Sequence, residues 1–309
     1  MSISRPSIVV VGSSNTDMII RLARIPRPGE TILGGQFVTA AGGKGANQAV
    51  GAARAGGRVT FVARVGRDVF GDQALAGFEK DRVDTSLVIR DRSAASGVAL
   101  IFVAKDGENS IAVASGANAN LAPADVKRAS PAILAADALV VQLETPLATV
   151  QAAADIAAKA GVRVILNPAP ARALPDRLLR RVSVLTPNEG EVERLTGVKV
   201  IDRETTAAAA AALRARGVGA VVITLGRRGA FVCGEGIDEL VPAFKVKAVD
   251  TTAAGDVFSG ALAVALGEGR ALVEAVRFAN AAAALSVTRV GAQPSAPRRA
   301  EIDRLVASR

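Results

Sequence analysis

Short apolar runs rich in Val and Ile alternate along the chain with longer, Ala-rich stretches of helical character. This alternation is typical of β-α units, whose parallel strands are buried on both faces and therefore read as continuous apolar runs. Such units place helices on both faces of one sheet and ligands at the carboxyl ends of its strands. The predicted strands are 7–12, 59–65, 138–143, 162–167, 182–186 and 220–225. The predicted helices are 44–56, 69–80, 146–160, 189–196, 204–216, 255–268 and 271–285.

Two stretches, 17–40 and 96–115, break this rhythm because polar and apolar residues alternate in them. Turn residues at 105–109 separate two of the runs. We predict that both stretches form a small antiparallel sheet, inserted as a lid into a single domain over residues 1–309. A few strands that stand away from the main body would leave an apolar face exposed, so they must cover a site or a partner subunit. We therefore expect a homodimer through the lid sheets; the alternative is a lid whose outer face is polar.

The charge of the chain favours an anionic ligand. Lys and Arg total 38 against 29 Asp and Glu, and the formal net charge is +9. A basic surface attracts nucleic acid or a nucleotide. The arginines are dispersed, and Trp and Tyr are absent, which argues against nucleic acid. A nucleotide triphosphate is the better candidate.

The absence of histidine restricts the possible chemistry. It removes the commonest general base, the Ser-His and Cys-His nucleophile systems and most zinc sites. Since Tyr is also absent, a catalytic base must be a carboxylate, a lysine or the single cysteine, Cys233. We interpret Cys233 as a small buried residue of a strand.

The compartment follows from cysteine usage and from the lengths of the apolar runs. A lone cysteine excludes an intramolecular disulfide framework and indicates a reducing compartment. The apolar run at 8–12 is too short for a signal peptide. The Ala-rich segment 271–288 is interrupted by Glu274 and Arg277, so it is not a membrane span. We expect a cytoplasmic protein that does not bind membranes.

Residues 42–47, Gly-Gly-Lys-Gly-Ala-Asn, directly precede a helix of small residues. Glycines expose backbone N–H groups and permit close approach of a ligand, while Lys44 and Asn47 supply donors for hydroxyl groups. The motif is not a P-loop, because Lys44 is followed by Gly45 instead of Ser or Thr. Taken alone, it is also compatible with a glycine turn that only caps a helix.

Residues 250–260 run from a strand end through a tight turn into a helix. Backbone N–H groups of residues 253–256 at the helix start would form an anion site for charge that develops in phosphoryl transfer. The carboxylate of Asp256 would reach the attacking hydroxyl as general base. The alternative for Asp256 alone is a helix N-cap.

Three further segments follow predicted strands. Asn188 and Glu191 lie one helical turn apart and could face one magnesium-phosphate shell. The glycines of 224–229 suit a turn over a nucleotide. After the first strand, Asn15 and Asp17 could hold a vicinal diol. The dinucleotide fingerprint is absent there, since it would need glycines at 14 and 17, and this argues against a dehydrogenase.

Together and in this order, the motifs resemble the PfkB carbohydrate kinase family along essentially the whole chain, and within it the members that act on ribose. The segments that carry the resemblance are 12–17, 28–31, 42–47, 142–144, 167–170, 188–191, 250–256 and 291–295. The resemblance implies a three-layer α/β/α fold with a mostly parallel central sheet and a small antiparallel β lid. The implied reaction transfers the γ-phosphate of ATP to the 5-hydroxyl of D-ribose.

The resemblance also implies roles for individual residues. Asp256 is the implied catalytic base, and Ala253, Ala254 and Gly255 would form the anion hole with it. The implied sugar contacts are Asn15, Asp17, Gly43, Lys44, Gly45, Asn47, Glu144 and Asp256. The implied nucleotide contacts are Asn188, Thr224, Gly226, Gly229, Gly255 and Asn280. Glu191 would order Mg²⁺ through water, and K⁺ would bind at Asp250, Thr252, Ser286, Arg289, Gly291 and Ser295, several of them through backbone carbonyls.

The chain departs from the family pattern at two of these positions. Asn280 stands where well-known members carry a histidine near the adenine, and Ala253 stands where many carry glycine. The first departure leaves the nucleotide preference open. The alternatives to ribose are deoxyribose, fructose or adenosine as acceptor, and a further alternative is a sugar-binding regulator without catalysis.

Overall fold

The computed structural model describes residues 5–234 and 236–308. The strands are β1 (Ser7–Val11), β2 (Asn15–Leu22), β3 (Gln36–Gly42), β4 (Arg58–Gly66), β5 (Val88–Asp91), β6 (Gly97–Ala104), β7 (Asn109–Ala114), β8 (Ala138–Val141), β9 (Arg163–Leu166), β10 (Val184–Leu185), β11 (Ala220–Thr224), β12 (Ala230–Gly234) and β13 (Ile237–Val241). The helices are α1 (Lys44–Arg54), α2 (Val69–Lys80), α3 (Pro123–Arg128), α4 (Ser130–Leu134), α5 (Leu147–Lys159), α6 (Asp176–Leu179), α7 (Glu189–Thr196), α8 (Arg203–Ala215), α9 (Ala254–Gly267), α10 (Leu272–Ser286) and α11 (Arg299–Ala307).

The central sheet has nine strands in the order β13-β12-β11-β10-β9-β8-β1-β4-β5. In this spatial order, the seven strands from β11 to β5 pair in parallel with their neighbours. At the other edge, β12 pairs antiparallel with both β11 and β13. The predicted strands are confirmed, although 182–186 shortens to β10 and 138–143 shortens to β8. Cys233 lies in a strand as predicted, namely β12, but it is only partly buried. Strand β13 was not predicted, because most of its side chains are exposed and it has no apolar run.

The sheet is buried on both faces, as β1 illustrates. Ile8 and Val10 pack into a core with helices α1, α9 and α10, and Val9 and Val11 pack into a second core with α5 and α8. Successive side chains of a strand point to opposite faces, so one apolar strand supplies both cores. The predicted three-layer α/β/α fold is confirmed.

A second sheet has four strands in the order β3-β2-β6-β7. The prediction of a separate small sheet from 17–40 and 96–115 is confirmed, but the prediction that all its strands are antiparallel is wrong. The central strands β2 and β6 pair in parallel over Asn15 to Leu22. Each hairpin leaves the main body and returns to it, so the two hairpins lie side by side with their first strands in the same direction. Within the described ranges, no helix is both long enough and apolar enough to span a membrane.

Candidate active site

The glycine-rich loop before α1 packs directly against the loop that follows β1. A Cβ on Gly45 would lie 2.5 Å from the backbone nitrogen of Ser13, and Gly43 adopts a φ of 88°. Both positions therefore require glycine. The amide of Ala46 donates to the carbonyl of Ser13 at 2.8 Å, which fixes the start of α1 against this loop.

Glu144, in the loop after β8, joins the two loops. One of its carboxylate oxygens accepts the hydroxyl of Ser13 at 2.5 Å and the backbone amide of Lys44 at 3.0 Å. Burial acts to lower the pKa of the Lys44 ammonium, but the carboxylates of Asp256, Glu144 and Glu191 together raise it above its ordinary value. Lys44 therefore stays charged, as a donor among three carboxylates.

Asp17 lies near the same carboxylates, on β2 of the small sheet. Burial is the largest cause that raises its pKa, and the negative charges of Glu144 and Asp256 raise it further, to about 6. Beside it, Asn15 accepts a hydrogen bond from the buried side chain of Asn118 at 2.7 Å. Asn118 was not predicted as part of the site; it holds the amide of Asn15 in place.

Asp256 lies in the first turn of α9 and only 6% of its surface is exposed. The N-cap residue of α9 is Ala253, so the alternative in which Asp256 serves as the N-cap is wrong. The side-chain amides of Asn47 and Gln48 donate to Oδ2 and Oδ1 of Asp256 at 2.9 and 3.0 Å. Burial raises the pKa of Asp256, while the charge of Lys44 and these two donors oppose that rise. A raised pKa makes a carboxylate a stronger base.

The start of α9 offers backbone N–H groups beside this carboxylate. In the described part of the chain, the amides of Ala253, Gly255 and Asp256 have no backbone acceptor, and that of Ala254 has only a long 3.3 Å bond to Thr251. Ala253 bends the chain into the helix with a left-handed φ of 59°. Free amides at a helix start form a site for an anion.

A cavity beside Asp256 brings together most of the predicted phosphate-side residues. Its lining includes Lys44, Asn188, Glu191, Thr224, Ala253, Ala254, Gly255 and Asp256. Asn188 and Glu191 form a capping box at the start of α7, in which each side chain accepts the other residue's backbone amide at 2.8 and 2.9 Å. Burial raises the pKa of Glu191. In the described ranges no group of three acidic or Cys side chains could enclose a metal ion.

The remaining predicted nucleotide residues lie outside that lining. Gly226 and Gly229, with φ of 55° and 109°, form the turn between β11 and β12. Asn280 of α10 is buried, and its amide nitrogen donates to the carbonyls of Val241 and Pro242 at 3.1 and 3.3 Å. Asn280 therefore anchors the chain after β13 instead of presenting its N–H groups to a ligand.

The predicted cation residues lie around Asp250. The carboxylate of Asp250 accepts hydrogen bonds from Thr252 at 2.9 and 2.6 Å and from the amide of Gly291 at 2.9 Å. Burial acts to raise its pKa, but these bonds hold the pKa below the ordinary value. The hydroxyls of Ser286 and Ser295 donate to local carbonyls, and Arg289 pairs with Glu301. The oxygen atoms that suit a cation here are therefore those of Asp250, of these hydroxyls and of the backbone carbonyls.

Sequence reasoning missed the amides behind the site: Gln48, Gln142 and Asn167. All are buried and hydrogen-bonded to one another or to Asp256. Gln48 interrupts an otherwise small and apolar buried helix, and that pattern could have identified it.

Comparisons of sequence and fold with known proteins identify the family of this chain. The sequence profile of the pfkB family of carbohydrate kinases matches residues 5–299. A ribokinase of Haemophilus influenzae is 46% identical over 96% of this chain and 97% of its own. A deoxyribokinase of Salmonella typhi is 38% identical over 94% and 95%. The structure of Arabidopsis thaliana ribokinase complexed with ribose and ATP aligns with a TM-score of 0.90 at 36% identity, over 98% of this chain and 99% of that one. This chain belongs to the pfkB family of carbohydrate kinases.

Proposed function

We propose that the protein is an ATP-dependent ribokinase that transfers the γ-phosphate of ATP to the 5-hydroxyl of D-ribose. One observation carries this proposal: the buried carboxylate of Asp256 lies between donors of the sugar-side loop and the free amides of α9. The sugar side supplies Asn47 and Lys44, and the phosphate side supplies the cavity lined by Asn188 and Thr224. A hydroxyl bound at Asp256 would meet a phosphate at the helix start.

In the proposed mechanism, the sugar's 5-hydroxyl attacks the γ-phosphorus of ATP in line, and Asp256 accepts its proton. The amides of residues 253–256 stabilise the charge that develops on the transferred group. Lys44 contributes a half-buried positive charge that acts on the same carboxylate. Mg²⁺, when bound, neutralises charge on the phosphates, and Glu191 with Asn188 would orient its waters. The small sheet would close over the sugar and exclude water as a competing acceptor.

The preference for ribose rests on Asp17. Its carboxylate lies on the same face of β2 as the amide of Asn15, which Asn118 holds, so together they could bind adjacent hydroxyls of a pentose. A site that bonds a hydroxyl rejects the analogue that lacks it, because the site's polar groups are then left unpaired. Deoxyribose should therefore be the poorer substrate, and the deoxyribokinase among the relatives makes it the first competitor to test.

The test is ADP release, coupled to a reporter reaction, with ribose, deoxyribose, fructose and adenosine as acceptors. We expect the largest kcat/KM with ribose and a phosphate on its 5-position by NMR of the product. A larger kcat/KM with another acceptor would show that the substrate is that acceptor and not ribose. Ribose binding by calorimetry without ADP release would instead support the alternative of a non-catalytic regulator.

We also propose that K⁺ activates the enzyme. Asp250 links the loop at Gly291 to the segment that leads into α9, so a cation held there by backbone carbonyls would order the anion site without contacting the chemistry. We expect higher kcat in potassium than in tetramethylammonium buffer. Equal rates in the two buffers would refute the proposal.

A homodimer through the small sheet is a further proposal. Register places Ile20 opposite Phe37 and Phe102, and Met18 opposite Leu100, on the face that does not carry Asp17. Phe37 and Leu100 are 63% and 48% exposed, which is costly for an apolar face in water. We expect a dimer by light scattering at micromolar concentration, dissociated by Phe37→Ser but not by Leu134→Ser, an apolar control on α4 that is 53% exposed. A monomeric wild type would overturn this proposal.

The cellular location of the enzyme and the extent of its kinase domain are also proposals. The single cysteine favours a reducing compartment, and we place the enzyme in the cytoplasm on that ground. We treat residues 1–309 as one kinase domain in which the strands near 17–40 and 96–115 are insertions. Recovery of the enzyme in the cytoplasmic fraction after cell fractionation would support the location. A single cooperative unfolding transition would support the single domain.

A further inference from the structure

A chain of buried amide side chains runs behind Asp256. Gln142 donates its amide nitrogen to Oε1 of Gln48 at 2.6 Å. Gln48 in turn donates to Oδ1 of Asp256 at 3.0 Å and to Oδ1 of Asn167 at 3.1 Å, and Asn167 donates to the carbonyl of Thr186 at 3.1 Å. Gln48 is 0% exposed, so water cannot replace any of these bonds.

The amide of Gln48 has only one favourable orientation within this row of hydrogen bonds. The amide nitrogen of Gln48 carries two hydrogens, and its two acceptors, Asp256 and Asn167, use both. Turning the amide over would place Oε1 of Gln48 against two acceptor oxygens and the amide nitrogen of Gln142 against a donor. Unpaired polar groups and facing like charges are costly in a buried site. The carboxylate of Asp256 and the amide of Gln142 therefore hold Gln48 in a single orientation.

This arrangement restrains the carboxylate as well. Asn47 holds Oδ2 of Asp256 and Gln48 holds Oδ1, so the carboxylate plane is fixed at both oxygens. Each oxygen retains a second lone pair with which to accept a proton. Asn47 is also an implied sugar contact, whereas Gln48 is fully enclosed and reaches only protein atoms.

The network continues to the helix that carries the base. The hydroxyl of Thr186 lies 3.1 Å from that of Ser259, and Ser259 bonds the carbonyl of Gly255 at 2.9 Å. Gln48 is thereby connected to the carboxylate directly and, through Asn167 and Thr186, to the first turn of α9. Two routes from one side chain converge on the segment that we assign to proton transfer.

We propose that Gln48 is a positioning residue for the kinase reaction: it aims the carboxylate of Asp256 and favours its ionised, proton-accepting form. The proposal rests on the proposed function, in which Asp256 is the base. Burial and the negative charge of Glu144 favour the protonated carboxyl, while the charge of Lys44 and the hydrogen bonds from Asn47 and Gln48 oppose this. Loss of the donor should therefore reduce the fraction of Asp256 that can act as base at a given pH.

The test is Gln48→Met, which keeps length and bulk but removes both hydrogen-bonding groups. We expect kcat to fall about tenfold and the acid limb of the kcat profile to move to higher pH, with KM for ATP and ribose within about twofold of wild type. Gln151→Met on α5 is the matched control, since the amide nitrogen of Gln151 is also buried but has no partner in the described structure. The control should leave the pH profile unchanged.

A second readout does not depend on catalysis. The titration of the Asp256 carboxyl by carbon NMR, assigned with Asp256→Asn, should shift upward in Gln48→Met even if another sugar is the substrate. An unchanged titration and an unchanged acid limb would overturn the role of Gln48, whatever the acceptor. If Gln48→Met does not fold, Gln142→Met, one bond further out, should give a smaller shift in the same direction, and no shift would equally overturn it.

Discussion

The carboxylate of Asp17 occupies the space that Gly42 leaves by having no side chain. A Cβ on Gly42 would lie 2.3 Å from each carboxylate oxygen of Asp17, far inside van der Waals contact. The two residues lie on the paired strands β2 and β3, so neither backbone can move away without breaking the sheet. Gly42 therefore fixes where the implied sugar carboxylate lies.

Gly42→Ala should displace Asp17 and weaken sugar binding. We expect KM for ribose to rise at least about tenfold while kcat at saturating ribose changes little, because the lost contact is made equally in the ground and transition states. Gly77→Ala on α2 is the control, since a Cβ there meets no atom within 4 Å. An unchanged KM in Gly42→Ala would contradict the role of Asp17.

The raised pKa of Asp17 predicts a pH dependence of sugar binding. The ionised carboxylate of Asp17 accepts stronger hydrogen bonds from sugar hydroxyls than the protonated carboxyl does, so KM for ribose should fall as pH rises through about 6 and stay constant above it. The native pKa exceeds the ordinary 3.8, so the free energy of unfolding should also fall as pH rises between these values. Asp17→Asn should remove the trend in KM and weaken the trend in the free energy of unfolding, to which the raised pKa values of Glu191 and Asp256 also contribute. A ribose KM that does not vary between about pH 5 and 7 would count against this assignment.

Ala253 predicts a stabilising substitution. A residue with a Cβ at a left-handed φ of 59° costs about 1 kcal/mol relative to glycine. We expect Ala253→Gly to raise the free energy of unfolding by roughly 0.5–1 kcal/mol with kcat within about twofold, because the anion site uses backbone amides. Chemical denaturation measures the first quantity. A destabilised variant would indicate that the methyl group makes contacts worth more than the strain.

Arg54 at the end of α1 ties three segments together. Its guanidinium bonds both oxygens of Asp81 at 2.7 and 2.9 Å and the carbonyls of Gln293 and Ala296 at 2.8 and 3.1 Å. Lysine cannot reproduce this planar fork. Arg54→Lys should lower the free energy of unfolding by about 2 kcal/mol. It should also raise the K⁺ concentration for half-activation, because the carbonyls of Gln293 and Ala296 flank the predicted cation residue Ser295. Arg58→Lys, at an exposed arginine, should change neither; equal behaviour of the two variants would contradict the prediction.

The sequence predicted the fold and the loops of the site, because both depend on local patterns. Apolar strands and glycine turns are recognisable within a few residues, and the loops converge since parallel strands end at one edge. The amide network was not predictable in this way. Gln48 lies 94 positions from Gln142 and 208 from Asp256. The packing of α1 against α9 brings Gln48 to Asp256, and Gln142 reaches Gln48 from the loop after β8. The anchoring role of Asn280 depends likewise on β13, which has no strong sequence signal.

The assignment of Asp256 as base is tested most directly by Asp256→Asn in single-turnover phosphoryl transfer, with binding of ATP and ribose followed by calorimetry. Asparagine keeps the size of the side chain but cannot accept the proton, and its NH₂ group would face one of the two donors, Asn47 or Gln48. We expect the variant to fold with modestly lower stability and to bind both substrates. The rate should fall by roughly 10²–10⁴, the share that a general base contributes. A loss of less than about tenfold, in a variant that binds both substrates, would contradict the account.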